Sequence, residues 1–256
     1  MLRLLAPVAA ASSTALAANC TRESLKTATD AYIAAQAGGK PAAWTALSST
    51  TNYTENYKAT SITSSILSQP LTLAHNRSSY DTTQCATYTE LIVTDAAHPY
   101  VIGTQMRFSP DGGGAATSIE TLVTDRGDWL FNATGTYYWA SREDWGMIPE
   151  AQRDSRAVIQ AAADAYLDYF NDKSVKVPWG TPCARLEGGS YTGQGRPTDS
   201  CNVGVPSGVH LTQRRYVIDE TVGAVDVHLS FESLPDSHEF RIEGGKIRYV
   251  HTQTVM

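Results

Sequence analysis

No run of lysine or arginine occurs anywhere in the 256 residues, and the formal net charge is -6. Without a basic stripe there is no footprint for a phosphate backbone, so nucleic acid is not an expected partner. Beyond the N-terminus no segment approaches the roughly 20 apolar residues that a bilayer span requires, so no membrane partner is expected either. The patterns G-x-S-x-G and G-x-x-x-x-G-K are absent, which removes nucleophile-elbow hydrolases and phosphate-loop enzymes. Gly112-Gly113-Gly114 sits where a hairpin turn is expected and does not open a helix, so a dinucleotide fold is unsupported. No cofactor is implied. Glycine and proline are too sparse for a fibrous or low-complexity chain, and 42% hydrophobic with 18% charged residues is ordinary globular composition.

Cysteine is scarce, with only Cys20, Cys85, Cys183 and Cys201. None are close enough for a C-x-x-C zinc pair, so no metal site is expected from them. Arg3 precedes an apolar stretch over residues 4–16 that ends in Ala15-Leu16-Ala17, the pattern of a cleavable signal peptide over residues 1–18. An even cysteine count in a secreted chain implies disulfides, and four cysteines allow three pairings. Cys183 and Cys201 enclose a Gly-, Ser- and Thr-rich segment, and Cys20 lies where a mature N-terminus needs anchoring. The favoured pairs are therefore Cys20 with Cys85 and Cys183 with Cys201. Sequons begin at Asn19, Asn52, Asn76 and Asn132, and glycosylation at the last three would place them at the surface. Asn19 abuts the cleavage site.

What the chain does contain is an internal echo. Ala28-Thr29-Asp30-Ala31-Tyr32 returns as Ala162-Ala163-Asp164-Ala165-Tyr166, 134 positions later. Leu25, Ala28, Tyr32 and Ala35 recur at helical spacing, as do Val158, Ala162, Tyr166 and Tyr169. Tyr53 to Asn56 lines up with Arg185 to Gly188 at an offset of 132, and Gly112 to Glu120 with Glu243 to His251 at 131. Three matches in one order at nearly one spacing imply a duplicated unit of about 110 to 130 residues. Strands are expected at 87–94, 100–108 and 118–124, and again at 215–219, 224–231, 239–242 and 246–254. Turns at 111–114 and 243–245 would close the last hairpin of each unit. The expected class is α+β, with a first unit over 19–136, an aromatic-rich connector over 137–155 packed against the units, and a second unit over 156–256.

A helix followed by an antiparallel sheet that closes on a Gly-Gly hairpin, present twice, resembles the nuclear transport factor 2-like cone that includes polyketide cyclase-like and ketosteroid isomerase-like proteins. The segments Val177 to Gly189 and Arg214 to Gly223 also resemble a group of secreted fungal proteins of unknown function. The resemblance implies two tandem cones, each with N-terminal helices on a strongly curved sheet around an apolar pocket with a few polar groups. It implies a small organic ligand of unspecified class and, as one outcome, cofactor-free elimination or isomerisation by proton transfer. Fold alone assigns no mechanism.

The candidate residues follow from position. Arg185 and Glu187 alternate with Ala184 and Leu186, so they share one face, either as a catalytic carboxylate oriented by an arginine or as a structural salt bridge. Glu55 occupies the corresponding step of the first unit. On the last strand Ile247, Tyr249, His251 and Gln253 are expected on one face, directing His251 into the cone, with Glu120 as its counterpart. Glu187 and His251 form the expected acid-base pair, with Asp219 as a third catalytic candidate. Arg185 and Arg215 would clamp an anionic substrate, and Tyr249, Tyr53, Glu55, His75 and Glu120 would contribute to binding. Replacing Glu187 by Gln is expected to abolish turnover. Asp226, His228, His238 and Glu239 lack metal-ligand spacing. The alternative function is a non-enzymatic extracellular binding or effector protein, favoured by a pocket filled with Tyr and Trp; a monomer and a homodimer are equally compatible with the sequence.

Overall fold

In a computed structural model the described residues are 20–109 and 114–256. The expected signal peptide, the Asn19 sequon and residues 111–113 of the first hairpin turn lie outside them. The fold is α+β, built from two tandem units of one topology.

The first unit opens with helix α1 (Arg22–Gly38), capped by Thr21, whose hydroxyl accepts from Ser24 N at 3.1 Å, and closed by Gly39 in the left-handed region at φ 59°. Its strands are β1 (Asn52–Glu55), β2 (Lys58–Ala59), β3 (His75–Asp81), β4 (Ala86–Val93), β5 (Tyr100–Phe108) and β6 (Ala116–Thr124). After helix α2 (Ala133–Ala140), the second unit runs through α3 (Arg156–Asp168), β7 (Trp179–Glu187), β8 (Ser190–Tyr191), β9 (Leu211–Asp219), β10 (Ala224–Phe231), β11 (Leu234–Glu243) and β12 (Lys246–Thr254). The sheet orders are β2-β1-β6-β5-β4-β3 and β8-β7-β12-β11-β10-β9. They are the same order twice, with β1 parallel to β6 and β7 parallel to β12.

Ladder registers make the duplication residue-specific. Glu120 lies opposite Gln105 as His251 lies opposite Glu239, and Glu55 lies opposite Thr121 as Glu187 lies opposite Thr252. These equivalences carry the offsets of 131 and 132 read from the sequence. The last hairpin of the second unit turns through Gly244 and Gly245 at φ 56° and 68°, the consecutive left-handed pair that a tight hairpin needs.

Each sheet is covered on both sides. Leu91, Val93, Ile102 and Met106 pack toward α1 with Leu25 and Tyr32, while Val225, Val227, Leu229 and Phe240 pack toward α3 with Ile159 and Tyr166. The opposite faces meet each other: Ala86 and Tyr88 touch Val217, and Ile92 and Val101 share a cluster with Leu186 and α2. Every residue of β4 is therefore buried, because neither face reaches water.

The sequence reading needs four corrections. β3, like β1, β2, β7 and β8, is not among the expected strands; His75 to Asp81 has no apolar alternation, and its polar side chains pair with the other unit. The expected strands 215–219 and 239–242 are the ends of the longer β9 and β11. The connector contains α2, so the unit boundary at 136/137 falls inside a helix. Finally, a register shift near Arg248 puts Ile247 in the α3-facing core, but Tyr249 and His251 on the opposite, inter-unit side. His251 thus points away from the interior of its own unit. The expected disulfides Cys20–Cys85 and Cys183–Cys201 are both present, and Asn52, Asn76 and Asn132 are exposed.

Candidate functional site

The densest group of titratable side chains lies between the units. Arg77 on β3 donates to both oxygens of Glu239 on β11, at 2.6 and 2.7 Å. His251 places Nδ1 2.9 Å from Glu90 on β4 and Nε2 2.6 Å from Glu143 in the segment after α2. Glu143 also accepts from Trp145 Nε1 and Tyr191 Oη, and the Trp145 ring covers the Arg77 guanidinium at 3.7 Å. Burial alone would depress the His251 imidazolium, but Glu143 and Glu90 outweigh it and raise its pKa to about 10. For Glu90 burial is likewise outweighed, by His251 and Arg77, and its pKa falls to about 2. Burial raises Glu239. His251 is therefore a charged imidazolium donating from both nitrogens.

The equivalent positions at the other end of the interface are Arg215, His228, Gln105 and Glu120. Arg215 Nε donates to Glu120 at 2.6 Å. His228 is fully buried and held neutral, its pKa pushed well down by burial and then by Arg215 and Arg107. Between the two ends, Asp226 receives Gln105 Nε2 at 2.5 Å and Ser237 Oγ at 2.6 Å, and burial raises its carboxyl well above the usual range. Duplication has thus produced one end rich in charge and one in which neutral groups replace two of the four.

Ligand atoms of Glu90, Glu239 and His251 all lie within 4.8 Å of one another. The trio does not fit a metal centre as it stands, because Arg77 already takes Glu239 through both oxygens and His251 sits charged between two carboxylates. Of Asp226, His228, His238 and Glu239, the first two and Glu239 are neighbours on the inter-unit face, whereas His238 faces α3.

The helix-facing side of the second sheet holds a different group. Arg185 and Glu187 form the expected pair, Nη2 to Oε2 at 3.1 Å, and Glu187 also accepts from Trp129 Nε1 at 2.9 Å. Deeper in, His238 Nδ1 and Asp236 Oδ2 lie 2.9 Å apart but off the line of a hydrogen bond. Thr254 Oγ1 donates to the other Asp236 oxygen at 2.7 Å. Tyr166 from α3 meets the His238 ring at 5.7 Å; burial pushes its phenol up to about 12, against the opposing pull of Arg185. Four buried polar atoms here, Tyr166 Oη, Arg185 Nε, Asp236 Oδ2 and His238 Nδ1, lack a well-aligned hydrogen bond, yet they fall in two facing pairs: Arg185 interacts with the Tyr166 phenol, and Asp236 Oδ2 lies 2.9 Å from His238 Nδ1. Polar groups without a well-aligned partner are costly in an interior.

The first unit lacks this group. Tyr32, Thr104, Ile102 and Tyr53 stand where the second unit has Tyr166, His238, Asp236 and Arg185. Tyr32 Oη pairs with Thr104 at 2.8 Å, and Tyr53 Oη donates to Glu55 at 3.0 Å.

The other expected site residues are scattered. Glu187 and His251 sit on opposite faces of adjacent strands, opposite Thr252 and Leu186 respectively, so they do not form one acid-base pair. Asp219 is consumed by Arg22, Tyr80 N and Thr221 N. Arg215 faces the first unit and Arg185 faces α3, so they cannot clamp one anion. His75 is half-buried beside the charged cluster, its pKa lowered chiefly by burial. Tyr249 stacks on Trp145. Sequence reasoning missed Arg77, Glu90 and Glu143, and it treated Asp236 as unremarkable; a lone Glu90 inside the apolar run 87–94 was the available signal, since such a charge must be paired.

These observations define a tandem α+β protein whose two units pack sheet to sheet through a charged interface and of which, among the described residues, only the second has the buried Tyr166, Arg185, Asp236 and His238 group. Residues 152–254, spanning that second unit, match the family described as "Domain of unknown function (DUF8021)". No curated protein and no solved structure matches the chain. No described helix is long and apolar enough to cross a membrane.

Proposed function

We propose that this is a secreted small-molecule-binding protein of nuclear transport factor 2-like cone architecture, in which the second cone performs a cofactor-free proton transfer, an elimination or isomerisation. The two disulfides, the N-terminal apolar segment and the exposed sequons support secretion and glycosylation. The observation that carries the catalytic reading is the buried group of Tyr166, Arg185, Asp236 and His238 on the α3-facing side of one sheet, in which Asp236 and His238 lie 2.9 Å apart without a well-aligned hydrogen bond.

In this reading the contact between Asp236 Oδ2 and His238 Nδ1, 2.9 Å apart, comes into line when substrate binds and orients the ring, leaving Nε2 to take and return a proton. Arg185 stabilises negative charge that develops on the substrate, and Tyr166, held protonated by burial, donates a hydrogen bond to it. Glu187, about a quarter exposed, marks the outer end of the site. His238 and Asp236 thus take the roles that sequence position suggested for His251 and Glu187.

The test is a thermal-shift screen with sugar acids, phenolics and enolisable ketones, because a ligand selective for the folded state raises its apparent stability. A hit whose turnover is lost in Asp236→Asn and His238→Gln, with binding retained, supports the reading. A hit turned over equally well by both variants sinks it.

The second reading is a non-enzymatic binding protein. It draws support from the aromatic filling of the second cone, where Tyr166 touches Trp179, Phe170 and Phe240. Binding without turnover in the natural protein would select it.

A further inference from the structure

On the inter-unit side of the second sheet, Trp139 of α2 and Tyr191 of β8 stack with centroids 4.2 Å apart and planes 9° from parallel. With Pro182, Ala184 and Tyr249 they line a cleft of about 430 Å³, whose remaining wall carries Arg142, Arg196 and Arg248. That volume suits a small organic ligand.

The charge of this cleft is unusual for an acidic chain. Arg22, Arg77, Arg156, Arg185, Arg214, Arg215 and Arg241 are all paired with carboxylates. Arg107, Arg126, Arg142, Arg153, Arg196 and Arg248 form no such ion pair among the described residues; the first, second and fourth donate to neutral acceptors elsewhere, and the other three line this cleft. Arg142 lies over the Tyr138 ring at 3.8 Å and Arg248 over the Tyr249 ring at 4.1 Å. The two carboxylates in the lining are committed elsewhere. Glu143 accepts from Tyr191, Trp145 and the charged His251, and Asp199 accepts from the backbone of Gln194 and Arg196. Three guanidinium groups therefore line a cleft beside a flat aromatic wall, Arg142 also donating to Tyr138 O; Glu143 is offset by the charged His251, and Asp199 keeps its charge near Arg196, so the lining stays net positive. Guanidinium groups recognise carboxylates through paired N–H donors, and indole and phenol faces take flat rings.

We propose that this cleft binds a small anion carried on a flat ring, an aromatic carboxylate of the phenolic-acid type. The site is separate from the proton-transfer group proposed above and rests on different residues.

Isothermal titration of the whole protein with 4-hydroxycinnamate, its methyl ester and inorganic sulfate tests this. The acid should bind; the ester and sulfate should each bind roughly tenfold more weakly or worse, about 1.4 kcal/mol. Arg196→Met and Arg248→Met should each weaken the acid by a similar factor while leaving the circular-dichroism spectrum and melting temperature unchanged, since Arg196 is exposed and Arg248 partly so. No heat at millimolar acid, equal affinity for acid and ester, sulfate binding as tightly as the acid, or undiminished binding by the Arg142→Met/Arg196→Met/Arg248→Met triple variant would each overturn the proposal.

Discussion

Arg156, the first residue of α3, donates to both oxygens of Asp81 at the end of β3, each at 2.8 Å. The relationship is reciprocated across the duplication: Arg22, the first residue of α1, donates to both oxygens of Asp219 at the end of β9, at 2.7 and 2.8 Å. Each aspartate also accepts a backbone N–H from the other unit, Ile218 N on Asp81 and Tyr80 N on Asp219. Each unit's helix start is thereby fastened to the other unit's sheet.

Breaking one fastening should therefore loosen the pair of units. Asp81→Ala leaves a partly buried guanidinium and a buried N–H unmatched, and is expected to cost roughly 3 to 5 kcal/mol. Urea unfolding of Asp81→Ala and Asp219→Ala checks this; a loss of unfolding free energy below about 0.5 kcal/mol, the surface-substitution range, would contradict it.

The His251 network sets a stability window in pH. A histidine raised to about 10 contributes stability that is full below its ordinary value and is lost as pH rises toward 10. A glutamate lowered to about 2 contributes stability that is full above its ordinary value and is lost as pH falls toward 2. The network therefore supports the fold best in the mildly acidic range, with the alkaline limb falling by up to about 1.4 kcal/mol per pH unit. Urea midpoints across that range should decline from neutral to pH 10 in the natural protein and decline less in His251→Gln.

Asp226 behaves in the opposite sense. With its folded pKa well above the usual carboxyl value, it must either keep a proton or bury a charge as pH rises, and each choice costs stability. Asp226→Asn retains the shape without that cost, so its stability relative to the natural protein should increase between pH 4 and pH 8. A constant difference across that range would show that the group titrates normally.

The Cys183–Cys201 bond closes a loop of 18 residues in sequence separation, and both cysteines are buried. Cys183→Ala with Cys201→Ala should lower stability by about 3 kcal/mol in the loop-entropy account. Comparison of melts with and without reductant gives the check: reductant should destabilise the natural protein but not the double variant by this route.

Much of this architecture was legible because duplication leaves a spacing signature. The offsets pairing Glu55 with Glu187 and Glu120 with His251 survive as ladder positions, since residues within a strand cannot be inserted without shifting its register. Facing was not legible. In β4 and β10 both faces are buried, so no alternation of polar and apolar residues distinguishes the helix side from the inter-unit side. On β12 the irregularity near Arg248 reversed the expected parity and moved His251 to the inter-unit face. Asp236 and His238 were hidden for another reason: their meeting with Arg185 and Tyr166 brings β11 onto α3 and β7, elements far from it in sequence.

The α+β class, the repeated helix-then-sheet order and the favoured cysteine pairs followed from periodicity, repeat spacing and composition, which are properties of local chain segments. Tertiary structure decided that the two sheets face each other, that His251 serves their junction, and that Asp236 and His238 meet Tyr166 and Arg185 in the second unit. Those outcomes depend on which faces are desolvated together, and burial of that kind is set only when distant strands have packed.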